Sequence, residues 1–450
     1  MNKLIFFLSA LFFLSACAKE SKHFVIFSGK VDDLKATQLT LQNDCDTVKI
    51  EINEDHSFID TLKVKEGYFN LQCGSVKNEV YIKPGFNLDI HLGDSILFAG
   101  EGEAENNYLQ EKLILAESLK KYEDYKYGCK LEEGPFLHLM DSVYTVKFNL
   151  LKDIKRKVCD DFFFMEESKL KYASLWKKAL YDVGRRMVLS DNDYKVSDGY
   201  YAELYKNIDV NDNRLAGIYN YIYFVGSYIS YITKNQLVDN DSTDFQLAYM
   251  NVMNKQVLDA EVKEKLSYNV GLTKLERSKR LDDVYHLIKL NISDQKYLDK
   301  VESIYKRLKK IERGAISPDF QFADVNGKMV GLKDLKGKLV YIDVWCTGCG
   351  PCMADLPYLQ KLEKHYRGKG IHFVSINVLD KEEVWKKTIK EKHLEGIQLH
   401  ADNVKINFFK AYQVRGIPRY ILLDADGRII DSSAKRPTDE KLKEQLDRLI

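Results

Sequence analysis

Two cysteines separated by two residues, set where a buried strand gives way to a helix, constrain this chain more than any other feature in it. The apolar segment Val340-Tyr341-Ile342-Asp343-Val344 runs into Trp345-Cys346-Thr347-Gly348-Cys349-Gly350-Pro351-Cys352, and a helical pattern follows from Met353 to His365. Such a pair is either half of a zinc site or a redox couple. Zinc would need two further ligands, and neither a second Cys-x-x-Cys nor a His-x-x-x-His follows. At the first turn of a helix, unpaired N–H groups and the helix dipole stabilise a thiolate. The spacing puts both sulfurs within bonding distance, Cys349 exposed and nucleophilic, Cys352 one turn deeper. Pro351, at the start of the helix, costs no hydrogen bond.

The flanking residues alternate strand and helix. Ile371 to Ile376 reads as a strand and Lys381 to His393 as a helix. Tyr420 to Leu423 and Ile429-Ile430 read as a hairpin across the Asp424-Ala425-Asp426-Gly427 turn, and a last helix starts near Thr438. Strand–helix–strand followed by hairpin–helix predicts an α/β sandwich over residues 315–450.

With Cys349-Gly350-Pro351-Cys352, the lead-in Ser317-Pro318-Asp319-Phe320 and the stretch Leu332-Lys333-Asp334-Leu335-Lys336-Gly337-Lys338, this segment resembles the TlpA-like (ResA-like) thioredoxin-fold thiol–disulfide oxidoreductases. These are membrane-anchored proteins that include members of cytochrome c maturation. The resemblance implies that Asp343 is the buried acid beneath the redox pair, taking the proton of Cys352 when that thiol attacks a mixed disulfide. A carboxylate among such apolar neighbours has a raised pKa, which suits a general base; the alternative is a solvated strand-edge acid. Trp345 matches the tryptophan packed under the active-site loop. Gly416-Ile417-Pro418 matches the cis-proline loop. There a cis Ile417–Pro418 bond would expose the Ile417 backbone to a client strand, with Pro418 against the two sulfurs. The 66-residue spacing from Cys352 to Pro418 suits the extra strand–helix insert of the TlpA-like group. Three positions depart from the pattern. Gly348 stands where an aromatic residue usually precedes the nucleophile. Arg419 replaces the threonine after the cis-proline, so its guanidinium would either lower the Cys349 pKa or lie solvated. Cys346 replaces a small residue, as a buried substitute or as a third redox thiol.

The rest of the chain reads as separate parts. Lys3 followed by the short apolar run Leu4 to Leu14 is a signal segment over residues 1–17, too short for a spanning helix. Leu14-Ser15-Ala16-Cys17 closes it and resembles a bacterial lipobox, which implies acylation of Cys17; a plain secretory signal is the alternative. Residues 22–102 carry short alternating segments with turns about every ten residues, predicting an antiparallel β-sandwich or barrel. This part resembles the small β-domain of unknown function that precedes thioredoxin domains in lipoproteins of Bacteroidetes type. Gly67-Tyr68-Phe69 and Lys83-Pro84-Gly85, read as turns, and Ala99-Gly100-Glu101-Gly102 before Asn106-Asn107-Tyr108-Leu109 carry that resemblance. From residue 103 to 313 the period becomes helical, with Val143, Val146, Leu150, Leu151, Ile154 and Val158 as one stripe, and a last helix predicted to stop at Gly314. Tyr219, Tyr221, Tyr223, Tyr228 and Tyr231 read as bundle packing; a client- or sugar-binding surface is the alternative. Cys45, Cys73, Cys129 and Cys159 lie too far apart for a metal site. They read as buried free thiols, with Cys45–Cys73 an open disulfide possibility.

Lys and Arg number 68 against 67 Asp and Glu, with no long basic run, so nucleic acid is not an expected partner. The expectation is therefore a multidomain protein: β-sandwich, α-helical region, then a C-terminal α/β thioredoxin fold. It would be a lipid-anchored thiol–disulfide oxidoreductase of the cell envelope, needing neither cofactor nor metal. It would reduce disulfide-bearing client proteins and be recharged by a membrane electron-donor thiol reductase. An oxidase or isomerase, or a surface binding lipoprotein with an accessory thioredoxin domain, is the alternative.

Overall fold

A computed structural model describes residues 23–33, 35–43, 46–191, 193–237, 244–401, 407–414 and 416–450. The expected signal segment with Cys17, and also Cys45, lie outside the described residues. The chain forms two compact units, residues up to Tyr231 and from Ile232 onward, and their boundary falls inside the helical region expected over 103–313.

In the first unit, β1 (Val25–Val31), β2 (Gln38–Gln42), β3 (Thr47–Glu51), β4 (Ser57–Leu62), β5 (Gly67–Cys73), β6 (Val76–Ile82), β7 (Asn87–Leu92) and β8 (Ile96–Gly100) make two sheets. Their orders are β4-β1-β7-β8 and β3-β2-β5-β6. Alternation turns Val25, Phe27 and Val31 of β1 and Phe69, Leu71 and Cys73 of β5 into the shared core, leaving Asn70 and Gln72 outside. The pairings are antiparallel except between β1 and β7, which run parallel. The chain leaves the first sheet to build β5 and β6 in the second before it returns as β7. Gly67-Tyr68-Phe69, expected as a turn, instead opens β5, because the in–out alternation begins there. Lys83-Pro84-Gly85 is a turn, and Gly85 takes the left-handed φ of 98° it requires.

Helices α1 (Glu103–Glu123), α2 (Tyr125–Cys129), α3 (Glu133–Asp153), α4 (Asp160–Leu189), α5 (Tyr200–Tyr205) and α6 (Tyr219–Gln236) follow. Fully buried Asn106 of α1 joins them to the sheet: its Oδ1 accepts the Tyr81 N–H at 2.9 Å and its Nδ2 donates to the Tyr81 carbonyl at 3.0 Å. Of the predicted α3 stripe, Val143 and Leu151 are buried, Val146 is exposed, and Ile154 and Val158 fall beyond the helix. Tyr221 is buried with its hydroxyl on the Asp209 carbonyl, and Tyr228 and Tyr231 pack on Tyr205; Tyr219 is exposed.

The second unit takes in the last turn of α6 and continues with α7 (Phe245–Gln256), α8 (Ala260–Thr273), α9 (Leu281–Asn291) and α10 (Gln295–Lys309). Helix α10 stops short of the predicted Gly314, because the chain turns through Lys310 to Arg313 before that glycine, at φ 87°, leads it to the sheet. An α/β domain follows: β9 (Gln321–Asp324), β10 (Met329–Gly331), β11 (Leu339–Trp345), α11 (Gly350–His365), β12 (Ile371–Val378), α12 (Glu382–Lys392), β13 (Ile397–Ala401), α13 (Asn407–Ala411), β14 (Arg419–Leu423), β15 (Ile429–Asp431) and α14 (Glu440–Leu449). The strands form one sheet in the order β10-β9-β13-β12-β11-β14-β15. Strand β11 lies inside it, buried at every residue and parallel to β12, as an unbroken apolar run in an α/β sheet requires. This is the thioredoxin-like architecture, with α12 and β13 lying between the helix of the two cysteines and the Pro418 loop.

Candidate active site

The site grows out of the carboxyl end of β11. Alternation places Tyr341, Asp343 and Trp345 on one face of the sheet; Tyr341 stacks there on Tyr420, with ring centroids 5.5 Å apart. The chain then turns at Cys346 to Cys349, closed by the Cys349 N–H on the Cys346 carbonyl at 3.2 Å, and enters α11. Cys349 is the N-cap: its Sγ accepts the Cys352 N–H at 3.2 Å, so a helix donor that would otherwise be unpaired points at the sulfur. Pro351 occupies the first turn, where no hydrogen bond is lost. Cys352 is buried and Cys349 half-exposed; their Cα atoms are 5.3 Å apart and their sulfurs are joined as a disulfide. Trp345 and Trp385, both wholly buried, pack with Cys352, and Cys349, Met353 and Ile417 lie against that cluster.

Asp343 is 3% exposed, and its Oδ1 has no hydrogen-bond partner among the described residues. Burial, with the further effect of Asp355 and Glu363, pushes its pKa up to about 8. Asp355 lies one turn beyond Cys352 on α11. It takes the Tyr420 hydroxyl at 2.7 Å and both arms of the Arg436 guanidinium at 2.8 Å each. Arg436 also reaches the Pro351 carbonyl, at 3.4 Å, between the two cysteines. Glu363, two turns further along α11, is raised to about 7 by burial and by Glu395.

The Ile417–Pro418 bond is cis, and Ile417 packs into the cysteine cluster. Gly348 is exposed, and a Cβ there would meet nothing within 4 Å. Arg419 is half-buried rather than solvated. Its partner in β11 is Val344, on the face away from Asp343, and its guanidinium bonds the Ser432 and Tyr412 carbonyls. Cys346, Cys73 and Cys129 are buried free thiols, and Cys159 is a half-buried one. Sequence reasoning missed Asp355, Arg436, Tyr420, Trp385, Thr347 and Asp380. Asp355 alone carried a signal, since a residue three beyond Cys352 on a helix shares its face.

A half-exposed sulfur capping a helix, disulfide-bonded to a buried partner one turn further on, defines a dithiol–disulfide exchange domain on the thioredoxin fold. By sequence the chain belongs to the ResA-like thiol–disulfide oxidoreductases. The Redoxin family matches residues 312–448. The thiol–disulfide oxidoreductase ResA of Bacillus cereus is 30% identical over 148 residues, which is 33% of this chain and 84% of that protein. Among solved structures, a solution structure from Bacteroides vulgatus is 48% identical over 29% of this chain and 86% of its own, with a TM-score of 0.28. The crystal structure of the thioredoxin domain of a Bacteroides vulgatus thiol–disulfide oxidoreductase is 29% identical over 30% of this chain and 96% of its own, with a TM-score of 0.28. This protein is thus a thiol–disulfide oxidoreductase acting on disulfide-bearing substrates.

Proposed function

We propose that the enzyme reduces protein disulfides in the cell envelope through the Cys349-Gly350-Pro351-Cys352 dithiol. Cys349, as thiolate, attacks one sulfur of a client disulfide; a Cys349–client bond forms and the other client sulfur leaves as a thiolate. Cys352 passes its proton toward Asp343 and attacks the Cys349 sulfur, releasing the second client sulfur. Two electrons have then moved to the client, and the enzyme holds the Cys349–Cys352 disulfide. A membrane thiol reductase returns them. The observation that carries these roles is the Cys352 N–H aimed at the Cys349 sulfur while Cys352 itself is buried. Asp343, with a pKa near the working pH, can both take and return a proton. Trp345 supports the loop, Gly350 and Pro351 start the helix, and Ile417 with Pro418 forms the client-facing edge.

The glycine–proline pair between the cysteines favours reduction. The lipobox ending at Cys17 supports a lipid-anchored chain on the envelope side, with cytochrome c maturation or envelope redox homeostasis as its setting. Among the described residues no helix is long and apolar enough to cross a membrane. Trapping in the full chain tests the roles. Cys352→Ala should accumulate mixed disulfides with clients and Cys349→Ala none; trapping by Cys349→Ala would reverse the assignment. A reduction potential near about −120 mV would make the enzyme an oxidant instead.

A further inference from the structure

The loop carrying Cys349 is gripped from a side that the reaction does not use. Between β12 and α12 the chain turns through Leu379 and Asp380. The Asp380 carboxylate accepts the Thr347 N–H on Oδ2 and the Thr347 hydroxyl on Oδ1, each at 2.7 Å. Oδ2 also accepts from Nδ2 of the fully buried Asn377, at 2.8 Å. The Asp380 carbonyl lies 2.9 Å from His400 Nε2; a carbonyl only accepts, so His400 carries a proton on that nitrogen. His400 of β13 in turn stacks on the buried Trp385 of α12, ring centroids 5.1 Å apart. Leu379 sits at φ 69°, a region a leucine occupies only where its surroundings over-determine it.

We propose that Asp380 is a positioning residue for the dithiol, orienting the Cys346–Cys349 turn through Thr347, with β13 and α12 as its buttress through His400 and Trp385. The proposal rests on Cys349 being the attacking thiol. Two charge-assisted bonds fix both the backbone and the side chain of Thr347, two residues ahead of that sulfur. Gly348, the one residue between, has no side chain to hold the loop. The angle at which Cys349 meets an incoming disulfide therefore depends on the Asp380 carboxylate, and misalignment of reacting atoms is costly. Elements α12 and β13 thereby hold still the loop that does the chemistry.

The test uses the full chain and insulin as the disulfide substrate. Thr347→Val keeps the N–H bond and loses the hydroxyl bond; Asp380→Asn loses the charge on both. Each should slow attack on insulin about tenfold, and Thr347→Ser should restore it to within about twofold. Alkylation of the Cys349 thiolate by iodoacetamide, which needs no docked geometry, should change less than about twofold in every variant. Attack by Thr347→Val at the wild-type rate would overturn the proposal, as would Thr347→Ser remaining as slow as valine. Alkylation falling in step with insulin reduction would also overturn it, because Asp380 would then act on the thiolate itself. Insulin reduction surviving in Cys349→Ser would instead sink the underlying role assignment.

Discussion

Glu166 in the first unit and Asp343 in the second are both sealed from water, 0% and 3% exposed, yet they are pushed in opposite directions. Burial acts against ionising Glu166, but Lys112 and Lys169, each 2.9 Å away, outweigh it and hold its carboxyl below the ordinary range. The Tyr68 hydroxyl completes the set at 2.8 Å. Lys169 is itself pulled down by burial and by the neighbouring Lys112, since two cations share one anion. Asp343 meets no cation at hydrogen-bonding distance among the described residues; burial, Asp355 and Glu363 all favour its protonated form. Burial raises both carboxyl groups, and the presence or absence of partner cations decides whether that rise survives. The first arrangement ties α4 to α1 and the sheet. The second keeps its proton up to about pH 8.

The largest effect that can break this contrast is the pH dependence of stability. Folded Asp343 keeps its proton up to about pH 8, whereas the unfolded chain releases it near 3.8. Across that window the folded state binds more protons at this site, so the Asp343 contribution to stability is fully present below pH 4 and is lost as pH rises towards 8. The slope is roughly 1.4 kcal/mol per pH unit. Asp343→Asn lacks this slope, and by neutral pH it should be roughly 4 kcal/mol more stable than the wild type, read from denaturant midpoints of the disulfide form between pH 4 and 8. Parallel curves for the two proteins would abolish the distinction from Glu166.

Next in size, Glu166→Gln should move stability the other way. It leaves two partly buried lysines unmatched and should cost about 3 kcal/mol at neutral pH, checked by the same midpoints. An unchanged midpoint would mean that the lysines reach water without loss. Smallest is Arg436→Gln. Arg436 is about half exposed, at 48%, so its loss should cost only about 1 kcal/mol. Asp355→Asn removes a carboxylate that opposes ionisation of Asp343. The pH at which wild type and Asp343→Asn stop diverging should therefore fall in the Asp355→Asn background. If it stays put, burial alone lifts Asp343.

Legibility in the sequence follows the range of the interactions. The Cys349 and Cys352 geometry, the buried β11 and the helix after it all rest on neighbours within a few residues, and they stand in the structure where the pattern put them. The hairpin of β9 and β10 was not foreseen, and the extra strand expected between Cys352 and Pro418 was not placed at β13, because three to five residues with few apolar positions carry no period. Gly67-Tyr68-Phe69 looked like a turn from its glycine, while its alternation belonged to β5. Arg419 shows a different miss: its position beside the proline was visible, but the face of β14 it occupies was not.

By itself the sequence determined the dithiol, the strand and helix that present it, the acid two strand positions before Trp345, and the division into β-rich, helical and α/β parts. Each of these is written in local order: a period of two or of 3.6, a proline where a donor is spare, a carboxylate among apolar neighbours. Only the tertiary structure decided that Asp355 and Arg436 close on one another across 81 residues beside Asp343. It alone decided that Asp380 reaches back 33 residues to hold Thr347, and that Glu166 finds Lys112 and Tyr68. The reason is physical. A side chain's charge state and grip depend on what packs within a few ångströms of it, and folding brings those partners from distant points of the chain.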